Sequence, residues 1–168
     1  MKIKRILVPV DFSDSSLHAL DYAVDFSKSF KAQLMILHVV EPIYYAVPDF
    51  TGGAAAAMAG VLDELHRTAH QQLMRLVQRY ARRRVKLRAL LQTGTAHDGI
   101  PDTAKRLKAD LIMMATHGRT GVSHLLMGSV AERVVRSATC PVLTIRAAQK
   151  RRRASGRRRA VSARRQRA

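Results

Sequence analysis

The chain has 168 residues, enough for one globular domain with a short appendage. It is 47% apolar, holds one cysteine (Cys140) and has no apolar run near the ~18 residues of a membrane span, which excludes a fibrous chain, a disulfide scaffold and a spanning helix and makes the cytoplasm the expected compartment. The formal net charge is +18, but ten of the 30 cations lie between Lys150 and Arg167 with no acid among them. Such a stretch cannot bury enough surface to offset its chain entropy, so a domain over residues 1–146 with a disordered Arg-rich tail over 147–168 is expected.

Ile3 to Val8 contains a short apolar run broken by Pro9, and reads as a buried strand. Ser13 then stands as N-cap ahead of Leu17, Leu20 and Val24, whose three-to-four spacing marks an amphipathic helix ending near Lys31. Gln33 to Val40 is a second buried strand. The stretch from Glu41 to Gly60 carries two prolines and three glycines and is expected to be a mobile connection, with a lid over 53–62 as the alternative. Leu62, Leu65, Ala69, Leu73, Leu76 and Tyr80 then line one helix face. The helix closes at Arg82, Arg83 and Arg84, where cations suit the negative dipole end.

Val85 to Leu91 reads as the third strand. Thr95 and Asp98 have capping-box spacing, but a helix start there puts Pro101 deep in the helix. A start at Asp98 puts Pro101 in the first turn and is preferred, with Ile100, Ala104 and Leu107 facing inward. Leu111 to Ala115 is the fourth strand, followed by a Gly- and His-bearing loop from Thr116 to Gly128. Ser129-Val130-Ala131-Glu132 reads as a capping box opening a helix through Val134 and Val135, and Pro141 to Ile145 is the fifth strand. Apolar strands alternating with helices imply an α/β, doubly wound parallel sheet with helices on both faces.

Ligands of such sheets bind beyond the carboxyl ends of the strands, where the strand order reverses. If the first and fourth strands are neighbours, Pro9-Val10-Asp11, Ala115-Thr116-His117-Gly118 and Gly128-Ser129 meet in one crevice. Gly118 and Gly128 would allow close backbone approach and positive φ, a helix start at Ser129 suits a phosphate, and Arg119 could reach outer phosphates. The competing reading has Ser129 and Glu132 consuming those N–H groups as a cap, and the glycines serving turns alone. The Walker A lysine and the dinucleotide Gly-x-Gly-x-x-Gly are both absent.

Other residues read plainly. His66 and His70, four apart on a helix, lack a third metal ligand and read as solvent-facing. His38 reads as a satisfied core residue, and Cys140 as buried and inert. The segment Lys150 to Arg167 would attract a polyanion such as nucleic acid without sequence preference, since it has no aromatic residue to stack a base.

Taken together, Ile6-Leu7-Val8-Pro9-Val10-Asp11-Phe12-Ser13, Leu37-His38-Val39, Thr116-His117-Gly118-Arg119-Thr120-Gly121 and Leu125 through Glu132 resemble the universal stress protein family. The resemblance runs over about residues 1–146. It implies a Rossmann-like five-stranded sheet in the order 3-2-1-4-5 and a homodimer formed through Pro141–Ile145. It also implies an ATP-binding stress-response switch, with Mg, acting through occupancy with slow or no hydrolysis and no catalytic residue. The family's ATP pattern is Gly, two residues, Gly, nine residues, Gly, then Ser or Thr; Gly118, Gly128 and Ser129 match it, and Ala115 replaces the first glycine. By position, Pro9, Val10, Asp11 and Val39 would surround adenine and ribose, with Met114, Ala115, His117 and Gly118 on the other wall. Arg119, Gly128, Ser129, Val130 and Ala131 would hold the phosphates. Another branch of the family lacks nucleotide binding and serves as a dimeric scaffold.

Overall fold

The computed structural model describes residues 2–42, 52–118 and 127–146, with side chains from 59 onward in the second stretch. The elements run β1 (Arg5–Pro9), α1 (Asp14–Phe30), β2 (Gln33–Val40), α2 (Gly52–Ala81), β3 (Leu87–Thr93), α3 (Ala96–Arg106), β4 (Leu111–Ala115), α4 (Ser129–Ser137) and β5 (Val142–Ile145). All four strand pairings are parallel, and the sheet order is β3-β2-β1-β4-β5. The expected doubly wound sheet is the one observed, with β1 and β4 adjacent where the order reverses.

Alternate residues of the central strands face opposite layers. Ile6, Val8, Leu34 and Ile36 pack with Leu20 and Val24 of α1 and Leu73, Leu76 and Tyr80 of α2. Leu7, Met35, Leu37 and Ile112 pack with Ile100 and Ala104 of α3 and Ala131 and Val134 of α4. Ile6, Leu7, Leu20, Leu34 and Ile112 are wholly buried, each contributing about 1.5–3 kcal/mol of apolar transfer.

Local chemistry sets most boundaries. Ser13 caps α1 by accepting from the Ser16 N–H at 3.2 Å, and Lys31 ends it in a left-handed turn at φ 54°. At the start of β4 the Asp110 carboxylate accepts the N–H groups of Lys4 and Arg5, both at 2.8 Å, while the Asp110 N–H donates to Arg5 O at 2.9 Å. One aspartate thus pins β1 and β4 together at their N-terminal ends.

Four expected boundaries are corrected. α2 begins at Gly52, so 53–62 is helix and not the expected loop; the strong helix propensity of the Ala54–Ala57 run outweighs Gly53. β3 runs from Leu87 to Thr93, two residues later than expected, because Arg84 turns left-handed at φ 58° and Val85-Lys86 bridge to the sheet. α3 begins at Ala96, not Asp98, leaving Pro101 inside it. The Glu41 carboxylate decides this by accepting the Ala96 N–H at 2.7 Å, a partner 55 residues away that favours the earlier start. The cap of α4 is Gly128, not Ser129. The capping box does not form: the Glu132 carboxylate pairs with Arg136 at 2.9 Å, and its N–H donates to Gly128 O.

Candidate functional site

The β1 end is locally tight. Asp11 accepts from the Ser13 N–H at 3.1 Å and from the Ser13 hydroxyl, and its own N–H donates to the Ser16 hydroxyl at 3.3 Å. Phe12 is held at φ 64°, an uncommon conformation for a bulky residue, with its ring 4.4 Å from that of His38. His38 is buried, and its Nδ1 lies 2.7 Å from Val10 O, so it ties the β1 end to β2 as a bonded core residue. This cross-link fixes where the chain turns from β1 towards α1.

The β4 end folds onto this corner. The Ser15 hydroxyl donates to His117 O at 2.8 Å, the Gly128 N–H donates to Thr116 O at 2.7 Å, and the Thr116 N–H donates to Ile145 O at 3.1 Å. Asp11, the 116–118 segment and the start of α4 therefore meet at one place, the convergence expected from the strand order.

The glycines have specific reasons to be there. A Cβ on Gly118 would lie 2.6 Å from the Asp11 carboxylate, and one on Gly128 would lie 3.0 Å from Thr116 O. Both are close-approach positions. The expected positive φ is corrected: Gly128 has φ −61°, and Gly94 is the glycine in the left-handed half among the described residues. A glycine cap also has no side chain to engage the first-turn N–H groups of α4, so the anticipated competition from a capping box is removed.

These segments form the floor and wall of a cleft of about 710 Å³, within the range of small-molecule sites. Of the residues singled out in the sequence, Pro9, Val10, Asp11, Val39, Met114, Ala115, His117, Gly118, Gly128, Ser129, Val130 and Ala131 all line it; Arg119 lies outside the described residues. Sequence reasoning missed the opposite wall, where α2 contributes Leu65, Thr68, Ala69 and Gln72, and Glu41 follows directly on β2. The inward face of α2 was visible, but its reach over the strand ends follows from its full 30-residue length. Glu41 gave no local signal, because its partner on α3 is remote in sequence.

Outside the cleft, His66 is partly exposed and its Nε2 lies 2.8 Å from the Thr93 hydroxyl, while His70 is exposed. No group of three metal-ligating side chains occurs among the described residues. Burial, then the Asp110 carboxylate, push the half-buried Cys140 thiol above its ordinary range, which fits an unreactive sulfur. No helix among the described residues is long and apolar enough to cross a membrane.

A doubly wound parallel sheet with a glycine-flanked cleft at its switch point defines a Rossmann-like α/β protein. The sequence model of the universal stress protein family matches residues 2–146, and the chain belongs to that family. It is 36% identical over 148 residues to universal stress protein MJ0531 of Methanocaldococcus jannaschii, covering 88% of this chain and 84% of that one. The structure of UspA from Lactobacillus plantarum superposes with a TM-score of 0.76 at 28% identity, over 87% of this chain and 99% of the other. A universal stress protein solved in complex with cAMP (TM-score 0.64, 24% identity, 86% and 98% covered) shares the fold. So does a family protein of Arabidopsis thaliana with AMP bound (TM-score 0.60, 21% identity, 90% and 97% covered).

Proposed function

We propose that the chain is an adenine-nucleotide switch, binding ATP in the cleft and signalling through occupancy, not turnover. The observation that carries this is the convergence of the Asp11 carboxylate, Gly118 packed against it and the glycine-capped start of α4. Asp11 is placed to accept ribose hydroxyls. Gly128 leaves the N–H groups of Ser129, Val130 and Ala131 and the positive dipole end for phosphates, and Arg119, which follows Gly118 in the chain, is the cation assigned to the outer phosphates. Met114 and Val39 supply apolar surface for the base. Magnesium would arrive on the phosphates. The AMP and cAMP held by two proteins of the same fold support the ligand class.

The protein works as a homodimer in this reading. β5 pairs only with β4 among the described strands, and Leu143 and Val135, 40% and 45% exposed, leave an apolar border beside Pro141–Ile145. Equilibrium binding of labelled ATP with Mg²⁺ to clean protein tests the nucleotide reading. Affinity tighter than millimolar is expected; weaker binding overturns it in favour of the scaffold reading. That second reading rests on Ala115, whose methyl stands where the family's ATP pattern has a glycine, on the wall of the cleft.

A further inference from the structure

The sheet has a second concave end. At the N-terminal edge of β1, β2 and β3 a groove of about 550 Å³ is lined by Lys2, Lys4, Lys31, Lys86, Gln33 and Phe30. All four lysines are exposed, and Phe30 is 44% exposed. No ion pair among the described residues involves these lysines. The Asp110 carboxylate, near the same edge, is already engaged by the backbone N–H groups of Lys4 and Arg5.

Strand register explains the clustering. The Gln33 N–H donates to Lys4 O at 2.7 Å and the Leu34 N–H to Lys86 O at 2.8 Å, so Lys4 and Lys86 flank the start of β2. They stand two strand spacings apart, about 10 Å along the hydrogen-bonding direction. Phe30 is the last residue of α1, and the left-handed turn at Lys31 follows it. A cation at Lys31 suits the negative end of the α1 dipole. Lys4 and Lys86 precede strands, where no such dipole calls for them. Like charges gathered in a concavity repel one another and favour an anionic occupant.

We infer that this groove binds single-stranded nucleic acid, with the lysines on phosphates and the Phe30 ring against a base. Phe30 selects this occupant over a simple polyanion, because phosphate alone gains nothing from an exposed aromatic. Its ring rests on Phe26 at 4.7 Å and so is held in place before a base arrives. The groove lies at the opposite end of the sheet from the nucleotide cleft and does not depend on the nucleotide reading.

The test is fluorescence anisotropy of the full chain with a labelled oligothymidylate of about 15 nucleotides, a length one site can span. The cations of Lys150 to Arg167 contribute the same background in every variant. Lys4→Glu/Lys86→Glu is expected to weaken binding tenfold or more and to flatten the log–log salt dependence by about 1.4, for two lost phosphate contacts. Phe30→Ala is expected to weaken binding about tenfold with the salt slope unchanged, as lost stacking should. Arg75→Glu/Lys105→Glu, with the same charge change elsewhere, should have a much smaller effect. If that control matches the groove pair, the site is overturned. If Phe30→Ala binds like the parent, the single-strand assignment is overturned and the groove is only a general polyanion patch.

Discussion

The two ends of this one sheet handle polar groups in opposite ways. At the N-terminal end, Asp110 gathers the N–H groups of Lys4 and Arg5, so the β1–β4 seam is closed by its own side chain. At the C-terminal end the same two strands part. Asp11 and Gly118 stand against each other, and the start of α4 is capped by a residue with no side chain. The difference follows from parallel topology, which fans loops and helix N-termini together only beyond the strand C-termini. Stability is concentrated at one end of the seam and binding capacity at the other, so changes at the two ends should separate.

The largest effect is expected at the binding end. Gly128→Val places a branched side chain against Thr116 O and over the α4 N-terminus, and should weaken ATP binding about a hundredfold, or about 2.7 kcal/mol. Titration calorimetry reads the affinity, and circular dichroism should show the helices intact. Unchanged affinity would place the phosphates elsewhere. Asp110→Ala is the mirror experiment. Loss of two charge-assisted bonds should lower unfolding free energy in urea by about 2 kcal/mol, with ATP affinity unaltered. The same change removes one of the groups that raises the Cys140 thiol, so Cys140 should react faster with a thiol reagent. If Asp110→Ala instead abolished nucleotide binding, the separation of the two ends would collapse.

A smaller effect belongs to the seam between α1 and α2. Tyr80 donates to Asp21 at 2.9 Å and is pushed up to about 12 from an ordinary value near 10, first by burial and then by the Asp21 bond and charge. The folded state therefore favours the protonated phenol. This stabilisation is whole below pH 10 and is lost as pH rises through 12. Tyr80→Phe should lower stability by about 1 kcal/mol at pH 7 and remove its share of the alkaline loss, both read from melting curves. The smallest effect is expected for Ala115→Gly. Restoring the family glycine should tighten ATP binding modestly while reducing stability by about 0.5–1 kcal/mol, because glycine in a strand loses more entropy on folding. A variant that binds no tighter would show that the Ala115 methyl leaves room for the ligand.

Local sequence chemistry was sufficient for the order of elements, the doubly wound class and the Pro9–Asp11, Ala115–Gly118 and Gly128–Ser129 parts of the cleft, while Val39, Met114, Val130 and Ala131 were legible only through the family resemblance. The reason is that the apolar strand runs and the Ser13 cap are written within a few residues, and the glycines show as residue types even though the contacts that require them are remote. Tertiary structure alone decided the rest. Glu41 starts α3 earlier than Pro101 suggested, because a carboxylate at the end of β2 reaches across to the Ala96 N–H. Gly128 takes the cap from Ser129 because its N–H is held by Thr116 O. The net charge likewise acquired a location: the sequence showed where cations are dense along the chain, but only strand register gathers Lys4, Lys31 and Lys86 around Phe30. Contacts between residues tens of positions apart leave no periodic trace, so folding must bring them together before they can be read.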